Sequence, residues 1–160
     1  MLPLFEQFPR LAENLPHVPL ADLPTPVEPM CPPADTLDLE SLHVKRDDLT
    51  GEVYGGNKVR KLEFLLVRAL REGRKRVMTF GAAGSNHALA TAIYAHKVGL
   101  RSISILVPQP NAHSVRRNLL MGHRVGAELH HYPNGRRAGW GATRISARHR
   151  FRDGVFPMVI

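Results

Sequence analysis

The residues with the clearest potential for chemistry lie around Lys58, which follows a glycine pair and opens a segment of helical period. Gly55 and Gly56 permit backbone conformations closed to other residues and let a ligand approach closely. A helix N-terminus disfavours a charged ammonium, so it lowers the pKa of a lysine placed there. The sequence therefore predicts that Lys58 is a nucleophilic amine able to form a Schiff base. Lys61 is the rival, but it lies one turn further in, where the dipole effect has faded.

A second candidate site is the turn from Phe80 to Asn86, which joins a predicted strand to a predicted helix. Open parallel sheets bind ligands at this position. Ser85 and Asn86 offer polar side chains there, and the helix N-terminus leaves backbone N–H groups facing an anion. Ser85 equally fits a helix N-cap, since an alanine-rich helix follows it. His87 stands beside the pair, and no carboxylate or second histidine falls at metal-ligand spacing.

Four segments of the chain form a combined pattern: Leu23-Pro24-Thr25-Pro26-Val27-Glu28, Val44-Lys45-Arg46-Asp47-Asp48-Leu49-Thr50-Gly51, the lysine segment Tyr54 to Phe64, and Gly84-Ser85-Asn86-His87-Ala88. In their order and spacing these segments resemble the D-cysteine desulfhydrase and 1-aminocyclopropane-1-carboxylate deaminase family. Members of that family are pyridoxal-phosphate enzymes with the tryptophan-synthase-β type of fold. The likeness runs from about Leu23 to at least Gly126.

The resemblance implies a cofactor, pyridoxal 5′-phosphate, and a role for each candidate residue. Lys58 would bind the cofactor covalently, and Asn86 would hydrogen-bond the pyridoxal 3′-oxygen. Ser85 would bind the substrate carboxylate or assist proton transfer, with Asn86 and His87 also among the substrate-binding residues. The family often has glutamine directly before this serine, and this chain has Gly84 instead.

The family's reaction is the loss of ammonia from a small amino acid, which yields an α-keto acid. D-cysteine gives pyruvate, sulfide and ammonia, whereas aminocyclopropane carboxylate gives α-ketobutyrate and ammonia. Two alternatives stay open: a catalytically inactive fragment or pseudoenzyme, and a basic α/β binding module without cofactor. A dinucleotide site is disfavoured, because the turn lacks G-x-G-x-x-G and Val107-Pro108 stand where a ribose-binding acid belongs.

The elements that hold these residues alternate helix and strand from Asn57 onward. This alternation predicts an α/β fold, a parallel sheet with helices on both faces in three layers. The resemblance identifies it with the N-terminal half of a fold-type II pyridoxal-phosphate enzyme. The predicted elements are a helix from Asn57 to Glu72-Gly73, strand Arg76 to Phe80, helix Ser85 to Val98, strand Ser102 to Val107, helix Ala112 to Val125, strand Ala127 to His131, helix Arg144 to Arg152 and a final segment Val155 to Ile160.

The chain of 160 residues is long enough for one ordinary domain. Nine prolines before residue 43 rule out long helices and central strands there. We expect a proline-rich arm and part of the cofactor domain over 1–56, a small α/β domain over 57–135, and a basic helix with the start of a truncated cofactor domain over 136–160. Family members continue past Ile160 into a loop that binds the cofactor phosphate, so the resemblance implies a truncated form of a protein that is a homodimer when complete.

The net charge of +8 raises the question of nucleic acid. Six arginines crowd after Asn134, and we interpret them as a solvated helix face, since no nucleic-acid motif accompanies them. Cys31 is the single cysteine, which excludes an internal disulfide and indicates a reducing compartment. No stretch approaches the ~18 apolar residues of a membrane span. We expect a cytoplasmic protein whose partner is a small amino-acid substrate, with no nucleic-acid or membrane partner.

Overall fold

A computed structural model of the chain describes residues 2–30 and 41–160. Cys31, on which the expectation of a reducing compartment rests, lies outside the described residues. The elements are α1 (Pro3–Gln7), α2 (Pro9–Asn14), β1 (Val27–Pro29), β2 (His43–Lys45), a 3₁₀ turn (Asp47–Leu49), α3 (Lys58–Arg71), β3 (Arg76–Ala82), α4 (Asn86–Lys97), β4 (Arg101–Val107), α5 (His113–Arg124), β5 (Glu128–His131), α6 (Gly135–Asp153) and β6 (Met158–Val159).

Four strands form one parallel sheet in the order β5-β4-β3-β6. Val77 of β3 lies opposite Ser102 of β4 on one side and Met158 of β6 on the other. The short strand β6 thus joins the same sheet as the strands of residues 57–135. Parallel neighbours require crossover connections, which α4 and α5 supply.

Helices cover both faces of this sheet. Successive strand residues point to opposite faces, and Val77 packs into a cluster with Leu62 of α3 and Leu89 of α4. Its neighbour Met78 packs into a second cluster with residues of α6. The predicted three-layer α/β fold is confirmed.

Helix α3 buries the stripe that its sequence period predicts, with two exceptions. Val59, Leu62, Leu66 and Ala69 are completely buried. Leu70, which the helical period places on the same stripe, is 41% exposed, whereas Glu63 is 2% exposed. The Glu63 carboxylate faces the arm and accepts hydrogen bonds from backbone N–H groups there, which compensates for its burial.

The proline-rich arm packs on α3. Glu63 Oε1 accepts from the N–H of Leu20 at 2.8 Å and of Ala21 at 2.9 Å. The Phe5 ring lies edge-on to the Phe64 ring. Within the described part of the arm the helices α1 and α2 have five and six residues, so the prediction that prolines exclude long helices there is confirmed. Each of these helices begins with proline, whose missing N–H costs nothing at the first helical position.

Helix α6 begins at Gly135, well before the predicted Arg144. Asn134 caps it, because its Oδ1 accepts from Arg137 N at 3.0 Å. Glycines lower the helix propensity of the first turns, but packing of α6 against the sheet stabilises the helix there. A Cβ on Gly141 would lie 2.0 Å from the Tyr132 ring, so this glycine allows α6 to pack closely on the residues that follow β5.

Candidate active site

The glycine pair before Lys58 serves two separate purposes. Gly56 has a φ of +116°, a backbone conformation that L side chains rarely adopt. Gly55 is required by space, because a Cβ there would lie 1.8 Å from the carbonyl oxygen of Asp48. Helix α3 then begins at Lys58, as predicted, and the Lys58 side chain is half-buried.

Thr50 holds this glycine turn from the preceding segment. It is completely buried, and its Oγ1 lies 2.9 Å from the Asp47 carbonyl oxygen and 3.0 Å from the Gly56 carbonyl oxygen. The same hydroxyl accepts from Gly56 N at 2.9 Å. A side chain that both donates and accepts is therefore needed at this position.

Arg60 connects the first two of the resembling segments to α3. Arg60 Nη2 donates to Asp47 Oδ1 at 2.8 Å and to Thr25 Oγ1 at 3.2 Å. Lys45 donates to the Thr25 carbonyl oxygen. The first three of the four resembling segments are thus in contact with one another around the start of α3.

Tyr94 of α4 anchors the lysine loop from the other side. Its hydroxyl donates to the Tyr54 carbonyl oxygen at 2.7 Å. Burial, reinforced by Asp22 and Glu63, raises the pKa of Tyr94 above its usual value, so the hydroxyl keeps its proton and stays a donor. The loop before Lys58 and the helix after Ser85 are therefore directly joined.

Ser85 is the N-cap of α4, as the sequence predicts. Its Oγ accepts from the N–H of Ala88 at 3.2 Å. A Cβ on Gly81 would lie 2.7 Å from Ser85 Oγ, so the hydroxyl packs directly over this glycine of β3. The hydroxyl hydrogen is not used by the cap and stays available as a donor.

Two residues that sequence reasoning missed hold the turn before α4. Gln109 Oε1 accepts from Gly84 N at 2.9 Å. Asn118 Nδ2 donates to the Gly84 carbonyl oxygen and to Asn86 Oδ1, both at 2.9 Å. Asn118 is 5% exposed, whereas Asn86 lies on the exposed side. A polar residue among the apolar positions of a helix was the available signal for Asn118.

His87 connects the two candidate sites electrostatically. Burial lowers the pKa of His87, and the positive charges of Lys61 and Lys58 lower it further, while a contact with the Ile160 backbone opposes them. Both lysines therefore lie within Coulombic range of the first turn of α4. Lys58 is half-buried and Lys61 is exposed. The His87 Nδ1 atom is buried without a hydrogen-bond partner among the described residues.

These residues fit the pyridoxal group that the sequence implies. They comprise an amine at the start of a helix, an outward-facing amide at Asn86, a hydroxyl with a free hydrogen at Ser85 and an orphaned ring nitrogen at His87. Within the described ranges no group of three or more His, Cys, Asp or Glu residues is arranged to hold a metal ion. No helix there has the length and apolar character needed to cross a membrane.

Comparison with known proteins finds relatives that match most of this chain. The chain is 42% identical over 121 residues to nocardicin C-9′ epimerase from Nocardia uniformis subsp. tsuyamanensis, a match that covers 76% of this chain and 36% of that protein. It is 41% identical over 116 residues to D-cysteine desulfhydrase from Salmonella newport, covering 72% of this chain and 35% of that protein. The chain thus spans about a third of the length of these relatives.

A solved structure extends the likeness to the whole fold. The crystal structure of an ACC deaminase homologue superposes with a TM-score of 0.79 at 35% identity, covering 100% of this chain and 47% of that chain. Residues 18–154 match the family described as pyridoxal-phosphate dependent enzyme. The family resemblance carried by the four sequence segments is confirmed, and the chain belongs to the pyridoxal-phosphate dependent enzyme family.

Proposed function

We propose that this chain carries the lysine-bearing part of a pyridoxal-phosphate enzyme that removes ammonia from a small amino acid to give an α-keto acid. The observation that supports this most directly is the position of Lys58. It is half-buried at the first residue of α3, and its charge reaches His87 beside the Ser85-Asn86 pair. A covalent amine and polar groups for the ligand would then act on one molecule.

Each residue has a task that its surroundings support. When bound, the cofactor supplies the electron-withdrawing ring that stabilises charge at the substrate α-carbon. Lys58 would form the covalent bond to it, and Asn86 would donate to its ring oxygen. Ser85 would donate its hydroxyl hydrogen to the substrate carboxylate or move a proton, because its oxygen already accepts from Ala88 N. Neutral His87 would accept a proton or a hydrogen bond at Nδ1.

The choice of Lys58 over Lys61 is tested by reduction with borohydride in the presence of pyridoxal phosphate, followed by peptide mass mapping. We expect the label on Lys58, with Lys61→Arg labelled like the parent and Lys58→Arg unlabelled. Label on Lys61 alone would transfer the role to that residue. Absence of label on both would favour the inactive fragment or the basic binding module.

The similarity to an epimerase favours a second candidate reaction. An epimerase takes a proton from a carbon centre and returns it on the other face, with no loss of ammonia. The two reactions are separated by supplying D-cysteine or a related amino acid in deuterated water. Ammonia and keto acid indicate deamination, whereas deuterium in the recovered amino acid without ammonia indicates epimerisation.

We also propose the cellular setting. A small amino acid would be the substrate, the complete protein would be a homodimer, and it would act in the cytoplasm without a nucleic-acid or membrane partner. The single cysteine of the sequence supports a reducing compartment.

A further inference from the structure

The amide orientation of Asn86 is determined by Asn118, a buried residue on a different helix. Asn118 Nδ2 lies 2.9 Å from the Gly84 carbonyl oxygen and 2.9 Å from Asn86 Oδ1. A backbone carbonyl can only accept, so the Asn118 atom beside Gly84 must be the NH₂ group. With that group fixed, the Asn86 atom that meets it must be the oxygen.

The consequence is that the NH₂ group of Asn86 points away from α5. Asn86 lies on the exposed side of the turn, at the carboxyl end of β3, where open parallel sheets bind ligands. A flip of the Asn86 amide would bring two NH₂ groups together and forfeit the hydrogen bond. The turn therefore presents a donor, and not an acceptor, to a ligand.

We propose that Asn118 is a positioning residue, which holds the Asn86 amide so that its N–H groups face an anionic or phenolic oxygen of the ligand. This inference rests on the proposed function in one respect: the ligand oxygen is taken to be that of the pyridoxal ring. Asn118 also holds the Gly84 carbonyl oxygen, so the same NH₂ group fixes both the turn and the side chain that the turn presents.

The orientation is tested on the chain without cofactor, by nuclear magnetic resonance of its side-chain amides. We expect the coupling constants of Asn86 to report one fixed rotamer, and the NH₂ protons of Asn118 to exchange slowly. Asn118→Ala should leave Asn86 averaging among rotamers. Asn111→Ala, at an exposed asparagine just before α5, is the control and should change neither signal. Averaging of Asn86 in the parent chain, or an unchanged Asn86 in Asn118→Ala, overturns the proposal.

The effect on the ligand is tested with pyridoxal phosphate as the probe. Asn118→Asp offers only acceptors, so it should draw the Asn86 NH₂ group toward α5 and turn the oxygen outward. We expect about tenfold weaker binding and a displaced absorption band, which is the effect of losing one hydrogen bond to a charged group. Parent-like affinity and band in Asn118→Asp, with the Asn86 amide turned, would refute the positioning role.

Failure of the proposed function gives a different result. If the parent chain and a longer form of the protein bind no pyridoxal phosphate, the proposed function fails, while the resonance measurement still decides whether Asn118 orients Asn86. Thermal unfolding of each variant, measured beforehand, sets a temperature at which all are folded. A spectral change at that temperature therefore reports the site and not the stability of the fold.

Discussion

Replacing Tyr94 by phenylalanine removes one oxygen atom from the contact between α4 and the loop that leads to Lys58. The Tyr94 hydroxyl donates to the Tyr54 carbonyl oxygen at 2.7 Å, and the side chain is 3% exposed. Tyr54 directly precedes the glycine pair. We expect Tyr94→Phe to lower the free energy of unfolding and to increase the mobility of the lysine loop.

The magnitude follows from what the hydroxyl contacts. One net hydrogen bond contributes about 0.5–1.5 kcal/mol to stability. Tyr54 is only half-buried, so water can replace part of the lost partner, and the full penalty of a buried unsatisfied carbonyl is avoided. We expect a loss of about 1 kcal/mol, which lowers the Tm of a chain of this length by roughly 2–4 °C.

The measurement is urea unfolding followed by circular dichroism, with hydrogen exchange of the loop amides as the local probe. Tyr132→Phe is the control, because no hydrogen bond joins the Tyr132 hydroxyl to the described residues, and it should change stability by less than about 0.5 kcal/mol. Equal effects of the two substitutions, or unaltered exchange in the loop, would refute the reasoning.

A second substitution sharpens this test through coupling. A Cβ on Gly51 would lie 2.1 Å from the Tyr94 hydroxyl oxygen, so Gly51→Ala should be strongly destabilising in the parent chain. Removal of the hydroxyl relieves that clash. The cost of Gly51→Ala should therefore be smaller in the Tyr94→Phe background, by on the order of 1 kcal/mol. Additive costs would contradict the contact.

Three further predictions concern the glycine turn and the first turn of α4. Gly56→Ala, with open space but a φ of +116°, should cost about 1–2 kcal/mol. Gly55→Ala, whose Cβ would lie 1.8 Å from Asp48 O, should cost more than that in urea unfolding, and equal costs would contradict the distinction. The pKa of His87 is lowered, so the folded chain binds this proton less readily than the unfolded chain. The contribution of His87 to stability should be constant above pH ~6.5, decrease as the pH falls from there to the folded pKa, and level off below it. His87→Gln should flatten that decrease, and an identical pH profile would count against it. Ser85→Ala should cost about 1 kcal/mol as a lost N-cap, and an unchanged midpoint would show that the cap is dispensable.

Much of the fold was predictable because its signals are local. The helix that begins at Lys58, its N-terminal turn and the alternation of buried strands with helices follow from residue type and period over short windows. The burial of Glu63 was not predictable in this way. A glutamate beside an apolar stripe is ordinarily solvated, and here its partners are backbone groups of the arm 42 and 43 residues away along the chain.

The residues of the candidate site also differ in how far the sequence predicts them. Lys58, Ser85, Asn86 and His87 stand in short motifs, so residue type and spacing are enough to single them out. The residues that hold them in place do not stand in such motifs. The hydrogen bonds of Tyr94, Gln109 and Asn118 join residues 40, 25 and 32 positions apart. Such pairs meet only after the chain has folded around the parallel sheet and α4 lies beside both α3 and α5, and no local pattern encodes that contact.

Helix α4 fixes the relative position of the two halves of the site, which are the loop before Lys58 and the turn that carries Ser85 and Asn86. All residues from Ala88 to Ala95 are buried, between the sheet and the neighbouring helices, and alanines at four of these positions permit close packing. Ser85 and Asn86 lie at the start of this helix, and Tyr94 near its end reaches the lysine loop. The position of Asn86 relative to Lys58 is therefore set by packing in the interior rather than by the loops that carry them. Because well-packed interiors do not deform continuously, a larger side chain at Ala90 would displace both halves of the site without touching either.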